Sequence, residues 1–305
     1  MTTRGKQAAR RAVSVLPGDG LGYIVLYGTS NKVHLTYDQA QEVMQARRLN
    51  ARYLHRPSAR IAFTRAAQEI ERQDEGKFVR PVVETADKKV VVIIREAVEE
   101  ATEKLNFAEE TRATLRKDTK TVTARGVDAK RLKDRFDHFY NFVTGDDVRQ
   151  MARKVVEESD GISLRGGTYV KDAGGTYFVP AKNADRLDGL ANVLEELEIG
   201  YLKAFGVVRG GVEQRSLHDT STAYIAKEVD GIETAVKGLT TRAASARQYL
   251  ARLQRLRELL QTYAALTEMT ADAAPLSARL DAVESLANKK LTELSPPKES
   301  RRKRP

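Results

Sequence analysis

The sequence predicts an α+β fold: a mixed N-terminal body with antiparallel strands, a winged-helix-like helix–helix–β-hairpin module, and a long C-terminal helical or coiled-coil arm. Three observations predict it. Between Phe78 and Arg125, β-branched runs bounded by turn residues mark strands. Between Asp128 and Ser159 the apolar period lengthens to helical spacing, and a glycine-rich hairpin pattern follows. From Ile225 to Leu253, apolar or small residues recur at alternating steps of four and three, through four heptads. The chain accordingly divides into a flexible basic arm (1–20), an α+β body (21–126), the helix–helix–hairpin module (127–210), the helical arm (211–294) and a disordered basic tail (295–305).

Each element follows from its residues. Residues 21–36 read as two short strands around Gly28-Thr29-Ser30-Asn31, and Tyr37 to Leu49 as a helix. Pro57 suits the entry of a second helix, Ser58 to Arg72. Phe78–Val83, Val90–Arg95, Lys104–Arg116 and Thr119–Arg125 form an antiparallel meander, although Val98 to Leu105 also contains good helix formers. Asp128 is placed to cap a helix whose stripe is Leu132, Phe136, Phe139 and Val143. Thr144-Gly145-Asp146 breaks it, and a helix from Asp147 to Ser159 follows, with Val148, Met151, Ala152, Val155 and Val156 inward. Strands at 161–170 and 175–179 flank a turn at Lys171-Asp172-Ala173-Gly174, and Pro180 ends the pair. A helix (184–198) and a strand (201–208) complete the module. In the arm, one long helix runs through Tyr263, and a shorter antiparallel helix returns along Leu276, Leu280, Val283, Leu286 and Leu291.

Composition sets limits. The 305 residues contain no Cys, which excludes disulfides, thiolate nucleophiles and cysteine-ligated zinc or iron–sulfur sites. No run approaches the roughly 18 apolar residues of a membrane span, and Ala12 to Leu16 is too short for a secretory core. The expected setting is the cytoplasm. The net charge is +10, unevenly spread. Residues 1–72 hold 12 Lys/Arg against 5 Asp/Glu, residues 73–237 hold 27 against 30, and residues 238–305 hold 13 against 7. Basic ends around a mildly acidic middle can attract a polyanion through counterion release, or can serve solubility alone.

No catalytic or metal constellation emerges, and no cofactor is expected. Pro17-Gly18-Asp19-Gly20-Leu21-Gly22 lacks the Lys-Ser/Thr of a P-loop and precedes a strand instead of opening a helix. His34, His55, His138 and His218 show no metal-ligand spacing. Glu75-Gly76-Lys77 and Glu84 to Lys88 are the nearest approach to a nuclease-type acid–lysine cluster, and solvated strand-edge charges explain them as well. The candidate nucleic-acid-binding residues are Arg149, Arg153 and Lys154 on the outer face of the second module helix, with Arg165 and Lys171 on the hairpin. Arg47, Arg48, Arg52 and Arg56 form a second basic stretch. The candidate oligomerisation seam is Ile225, Val229, Ile232, Val236, Leu239, Leu250 and Leu253.

KFVRPVVETADKKVVVIIREAVEE at 77–100 and ISLRGGTYVKDAGGTYFVPAKNADRLDGL at 162–190 resemble an uncharacterised family of prokaryotic and phage proteins with a GGxYFVP-type hairpin. Gly174-Gly175-Thr176-Tyr177-Phe178-Val179-Pro180 carries most of the resemblance, which covers about 77–210. It implies a phage or mobile-element setting and no functional residue. The favoured reading is a non-enzymatic, DNA-associated or scaffolding protein that self-associates or docks a partner through its C-terminal helices. The alternatives are a purely structural interaction protein without nucleic acid and, third, a metal-dependent nuclease-like enzyme.

Overall fold

A computed structural model describes residues 13, 16, 20–30, 33–99, 104–164, 175–240 and 243–295. Most of the basic arm, the hairpin tip with Arg165 and Lys171, and all but the first residue of the basic tail lie outside those residues. Among the described residues the fold is α+β, with eight α-helices and two four-stranded sheets. The chain divides into two compact units that cut across the boundaries expected from sequence. One unit combines 1–28, 153–191 and 201–305; the other combines 29–152 and 192–200.

The second of these units holds the meander. Strands β2 (Lys77–Glu84), β3 (Lys88–Glu99), β4 (Lys104–Arg116) and β5 (Thr121–Gly126) pair antiparallel in chain order. The stretch from Val98 to Leu105 is therefore strand and not helix in its described part, because Val98 and Leu105 are themselves cross-strand partners. Helices α1 (Tyr37–Ala46), α2 (Ala59–Gln73) and α3 (Ala129–Asn141) flank the meander in sequence. The α1 helix starts at a capping box in which the Thr36 side chain and Gln39 satisfy each other's backbone donors. The α2 helix starts at Ser58, whose hydroxyl accepts from the Ile61 N–H. Ala62, Phe63, Ala66, Ala67 and Ile70 of α2, with Leu132 and Phe136 of α3, pack on Val91, Ile93, Ala113 and Leu115 of the sheet. Small alanines on α2 let the helix lie close to β-branched strands, as a core poor in aromatics requires.

Asp128 is the N-cap of α3, but its side chain makes no capping bond. Its Oδ2 instead accepts from the buried Lys77 Nζ at 2.8 Å. Helix α4 (Gly145–Glu158) is entered through Thr144, whose hydroxyl accepts from the Asp147 N–H while the Asp147 carboxylate accepts from the Thr144 N–H. The same carboxylate takes hydrogen bonds from the Tyr37 hydroxyl at 2.8 Å and Arg65 at 3.1 Å.

The other unit is built on a sheet of order β6-β7-β1-β8, formed by β1 (Gly20–Thr29), β6 (Ile162–Ser163), β7 (Thr176–Pro180) and β8 (Gly200–Val208). The two strands expected in 21–36 are one strand, since Gly20 to Thr29 runs unbroken through Gly28. The expected hairpin exists as β6 and β7, which pair at Ile162↔Phe178 and Ser163↔Tyr177. It is not a free wing, because β7 also pairs with β1 from Gly22↔Pro180 to Leu26↔Thr176. Helix α5 (Ala184–Glu196) links β7 to β8.

The expected single long helix is two helices. Helix α6 (Gly211–Lys237) ends at Gly238, whose N–H closes on the Thr234 carbonyl, and α7 (Ala243–Thr267) begins after a short connection. Helix α8 (Ala274–Leu294) follows, and the three form an up-down-up bundle. Gly238 with Thr240 and Thr241 two and three residues on is a poor place to continue a helix. Ion pairs across the bundle confirm the antiparallel neighbours: Arg252 with Glu228, and Arg257 with Asp281 and with Glu284 at 2.7 Å. Arg279 of α8 pairs with Asp230 and, at 3.0 Å, with Glu233 of α6.

Tyr263 ties this bundle to the sheet of its own unit. Its ring is buried edge-on against Phe178 of β7, and its hydroxyl donates to the Asp160 carbonyl at 2.8 Å, with the Phe178 carbonyl 3.3 Å away. Asp160 sits in the left-handed region, with φ 59°, and its carboxylate is held by Arg255 at 2.7 Å and Lys182 at 2.9 Å. Tyr263→Phe keeps the packing and leaves a carbonyl short of its donor. We expect a loss of about 1–2 kcal/mol in urea unfolding, with an unchanged far-ultraviolet spectrum. An unchanged midpoint would show that the hydroxyl does not contribute.

Candidate functional site

The pleat gives sheet β2–β5 two unlike faces. The face toward α2 and α3 is apolar at Val79, Val91, Ile93, Ala113, Leu115, Val122 and Ala124. The opposite face is basic, because register brings residues remote in sequence into rows. Arg80, Val92, Arg112 and Arg125 are successive cross-strand partners in one row. Val83, Val90, Thr114 and Thr123 form the next, and Lys88, Arg116 and Thr121 a third. The first and third rows are four residues apart along β4, about 13 Å.

This open face carries five cations and two described acids, Glu96 and Glu109. Glu109 is bound by Arg112 through a bidentate pair at 2.7 and 2.9 Å, and that hydrogen bonding holds its carboxyl below the usual range. Among the described residues, Arg80, Lys88, Arg116 and Arg125 have no carboxylate within ion-pair distance, and all four are exposed. Arg80 lies 5.5 Å from the centroid of the Phe78 ring. Val90 and Val92 are nonetheless buried, as expected where arginine stems lie across a β-branched floor. The floor is Val and Thr, with no stacking aromatic at its centre.

On the helix side of the same sheet is a buried charge cluster. Lys77 is 3% exposed, and its Nζ lies 2.8 Å from Asp128, 2.9 Å from Asp74 and 3.3 Å from Glu110. Burial opposes the charge on Lys77, but the hydrogen bonds it donates to the three carboxylates outweigh it and raise its pKa. Glu110 is held below the usual carboxylate range by Arg95 and then Lys77, against its partial burial. Asp74 is lowered by its bonds to Lys77 and Arg131. Glu75-Gly76-Lys77 thus contributes its lysine to an ion-pair network. Among the described residues no group of His, Cys, Asp or Glu is arranged to hold a metal ion.

The residues singled out from sequence fall elsewhere. Arg149 pairs with Asp146, and Arg153 with Glu157 at 2.6 Å, so both have a carboxylate one turn away on their own helix. Lys154 is exposed. Arg165 and Lys171 lie outside the described residues. Arg47 pairs with Glu196 at 2.6 Å, and Arg56 with Asp38 at 2.8 Å while covering Tyr140. Arg52 stacks on Tyr53, and Arg48 is exposed in a left-handed turn with φ 60°. Of the seam residues, Ile225, Val229, Ile232, Val236 and Leu253 are buried within the chain's own bundle, and Leu239 and Leu250 are half-buried.

The fold and this face define a class: an α+β protein with an antiparallel sheet, helices on one side of it, and a basic, polar surface on the other. The chain belongs to a family of unknown function, DUF6744, whose model matches residues 20–295. That match includes the C-terminal helices, well beyond the 77–210 over which the resemblance was legible. No curated protein and no solved structure matches the chain. Among the described residues no helix is long and apolar enough to cross a membrane.

Proposed function

We propose that this protein is a non-enzymatic, DNA-associated protein that grips duplex phosphates on the open face of β2–β5. One observation carries the reading: Arg80, Lys88, Arg116 and Arg125 share a solvent-facing sheet surface, and among the described residues none of the four has a carboxylate within ion-pair distance. Ordinary surface cations sit beside acids, as Arg149 and Arg153 do. Two basic rows about 13 Å apart over a neutral Thr/Val strip suit contacts to two backbones flanking a groove. Such contacts supply affinity without sequence preference. The resemblance of the Gly174–Pro180 segment extends the proposal to a phage or mobile-element setting in the cytoplasm. Self-association through the C-terminal helices has weaker support, because five of the seven seam residues are already buried within one chain.

The test is fluorescence anisotropy with a 20-base-pair duplex across a salt series. Four to five phosphate contacts should give a slope of about −4 in log K against log salt. No binding at 50 mM salt would overturn the reading in favour of a purely structural protein. A variant with Arg149, Arg153 and Lys154 changed to Ala should bind within about threefold of wild type, since exposed pairs of this kind contribute little and two of the three charges are already offset. A larger loss would return the interface to α4.

A further inference from the structure

A second surface, in the other unit, differs in chemistry from the basic face. Strand β8 is at the edge of its sheet, and its residues alternate in exposure. Tyr201 is 57% and Phe205 53% exposed, unusual values for large aromatics, and with Lys203 they occupy every second position on one face. The face is shaped to present the first ring. A Cβ on Gly28 of the neighbouring strand β1 would lie 2.6 Å from Tyr201 Cε1, so the ring lies over glycine backbone where any side chain would displace it. The Lys203 ammonium is 5.8 Å from the Tyr201 ring centroid. Strands β1, β7 and β8 contain no Asp or Glu, and Lys203 is their one charged residue.

We propose that Tyr201 and Phe205 form a stacking platform for the unpaired bases of single-stranded nucleic acid, with Lys203 meeting the intervening phosphate. The two rings are about 13 Å apart along the strand, far enough for each to take a separate base. Aromatic rings interleaved with a cation are the chemistry that binds single strands without sequence preference, because every base has a π-face. Between the two basic rows of β2–β5 the floor is Val and Thr, and the rings on that face, Phe78 and the exposed Phe107, lie beyond the Arg80 row, so backbone contacts are assigned to one surface and base stacking to the other. The alternatives, a second copy added to the β8 edge or an apolar peptide, would not call for a lysine between the rings or need bases on the probe.

The experiment uses the full chain with three probes: a labelled oligothymidylate of 20 nucleotides, an abasic strand of equal charge, and the 20-base-pair duplex. Wild type should prefer oligothymidylate to the abasic strand. Tyr201→Ala with Phe205→Ala should weaken oligothymidylate binding roughly 10- to 100-fold per ring while leaving duplex affinity unchanged. The aromatic swap Tyr201→Phe with Phe205→Tyr should retain binding. Melting temperature is measured alongside; if the double variant is destabilised, Phe205→Ala alone, which does not rest on Gly28, must show the single-ring loss. Equal affinity for oligothymidylate and the abasic strand would overturn the proposal. So would unchanged oligothymidylate binding in the alanine variants, including the case in which they abolish self-association instead. Failure of duplex binding alone would sink the basic-face reading and leave this one standing.

Discussion

A variant with Arg80, Arg112, Arg116 and Arg125 changed to Gln should lose roughly 10²–10³-fold in duplex affinity at 0.1 M salt, and its salt slope should flatten by about 3. Each phosphate contact releases about 0.9 counterion, so at 0.1 M salt each contributes close to a factor of 10^0.9 in affinity. Arg112 is discounted because it already holds Glu109 through two hydrogen bonds. Gln is chosen over Ala because its longer stem retains apolar cover for a floor in which Val90 and Val92 are buried. The four positions lie outside the apolar core of the unit, so the melting temperature should change little. Lost affinity with an unchanged melt assigns the face. Unchanged affinity and an unchanged salt slope would remove nucleic acid from the account of this sheet.

The largest stability effect is expected at Lys77. Lys77→Met should cost about 3–5 kcal/mol, because it leaves Asp128, at 6% side-chain exposure, facing Glu110 and Asp74 without the shared ammonium. Against a net stability of about 5–15 kcal/mol for a domain, that is a large fraction. Pairing it with Asp128→Asn should recover part of the loss, since the orphaned buried charge is then gone. The pH dependence follows from the directions of shift. Asp74 and Glu110 have lowered pKa values, so their contribution is present above the ordinary carboxylate range and is lost as pH falls below about 4. Lys77 has a raised pKa, so its contribution is intact below the ordinary lysine range near 10.4 and fades only above it. The difference between wild type and Lys77→Met, measured by urea unfolding, should therefore be steady from pH 5 to 9 and shrink below pH 4. A difference that grows on acidification would contradict the ion-pair account.

A helical face is legible in a single segment, whereas the face of a sheet is assembled from several strands. Arg149, Arg153 and Lys154 of α4 stand out in the sequence because helical periodicity is local and puts them on one face. The structure puts acids one turn away from two of them. The open face was signalled too, in the alternation Thr111-Arg112-Ala113-Thr114-Leu115-Arg116 and in Thr121-Val122-Thr123-Ala124-Arg125, which separate an apolar side from a basic one. That pattern says each strand has a basic side. It does not say that the strands align those sides, which depends on the registers Arg80↔Val92, Val92↔Arg112 and Arg112↔Arg125.

What the sequence determined by itself is what neighbours in the chain decide. Ser58 and Thr36 cap their helices, β4 runs from Lys104 to Arg116 as its alternation requires, and the stripe Leu132, Phe136 turns α3 to the core. The seam Ile225, Val229, Ile232, Val236 is buried as its spacing predicts. Only the tertiary structure decided the partners. The heptad rhythm passes from Val236 through Leu239 to Ala243 without a change of phase, yet the chain reverses there, because a period records which side of a helix is apolar and not where the helix stops. Asp128 stands where a cap is expected, but Lys77, 51 residues away, takes its carboxylate. The strand β1 finds β7 and β8 far along the chain. Pairings of this kind are set by burial and charge across long loops, and no local period encodes them.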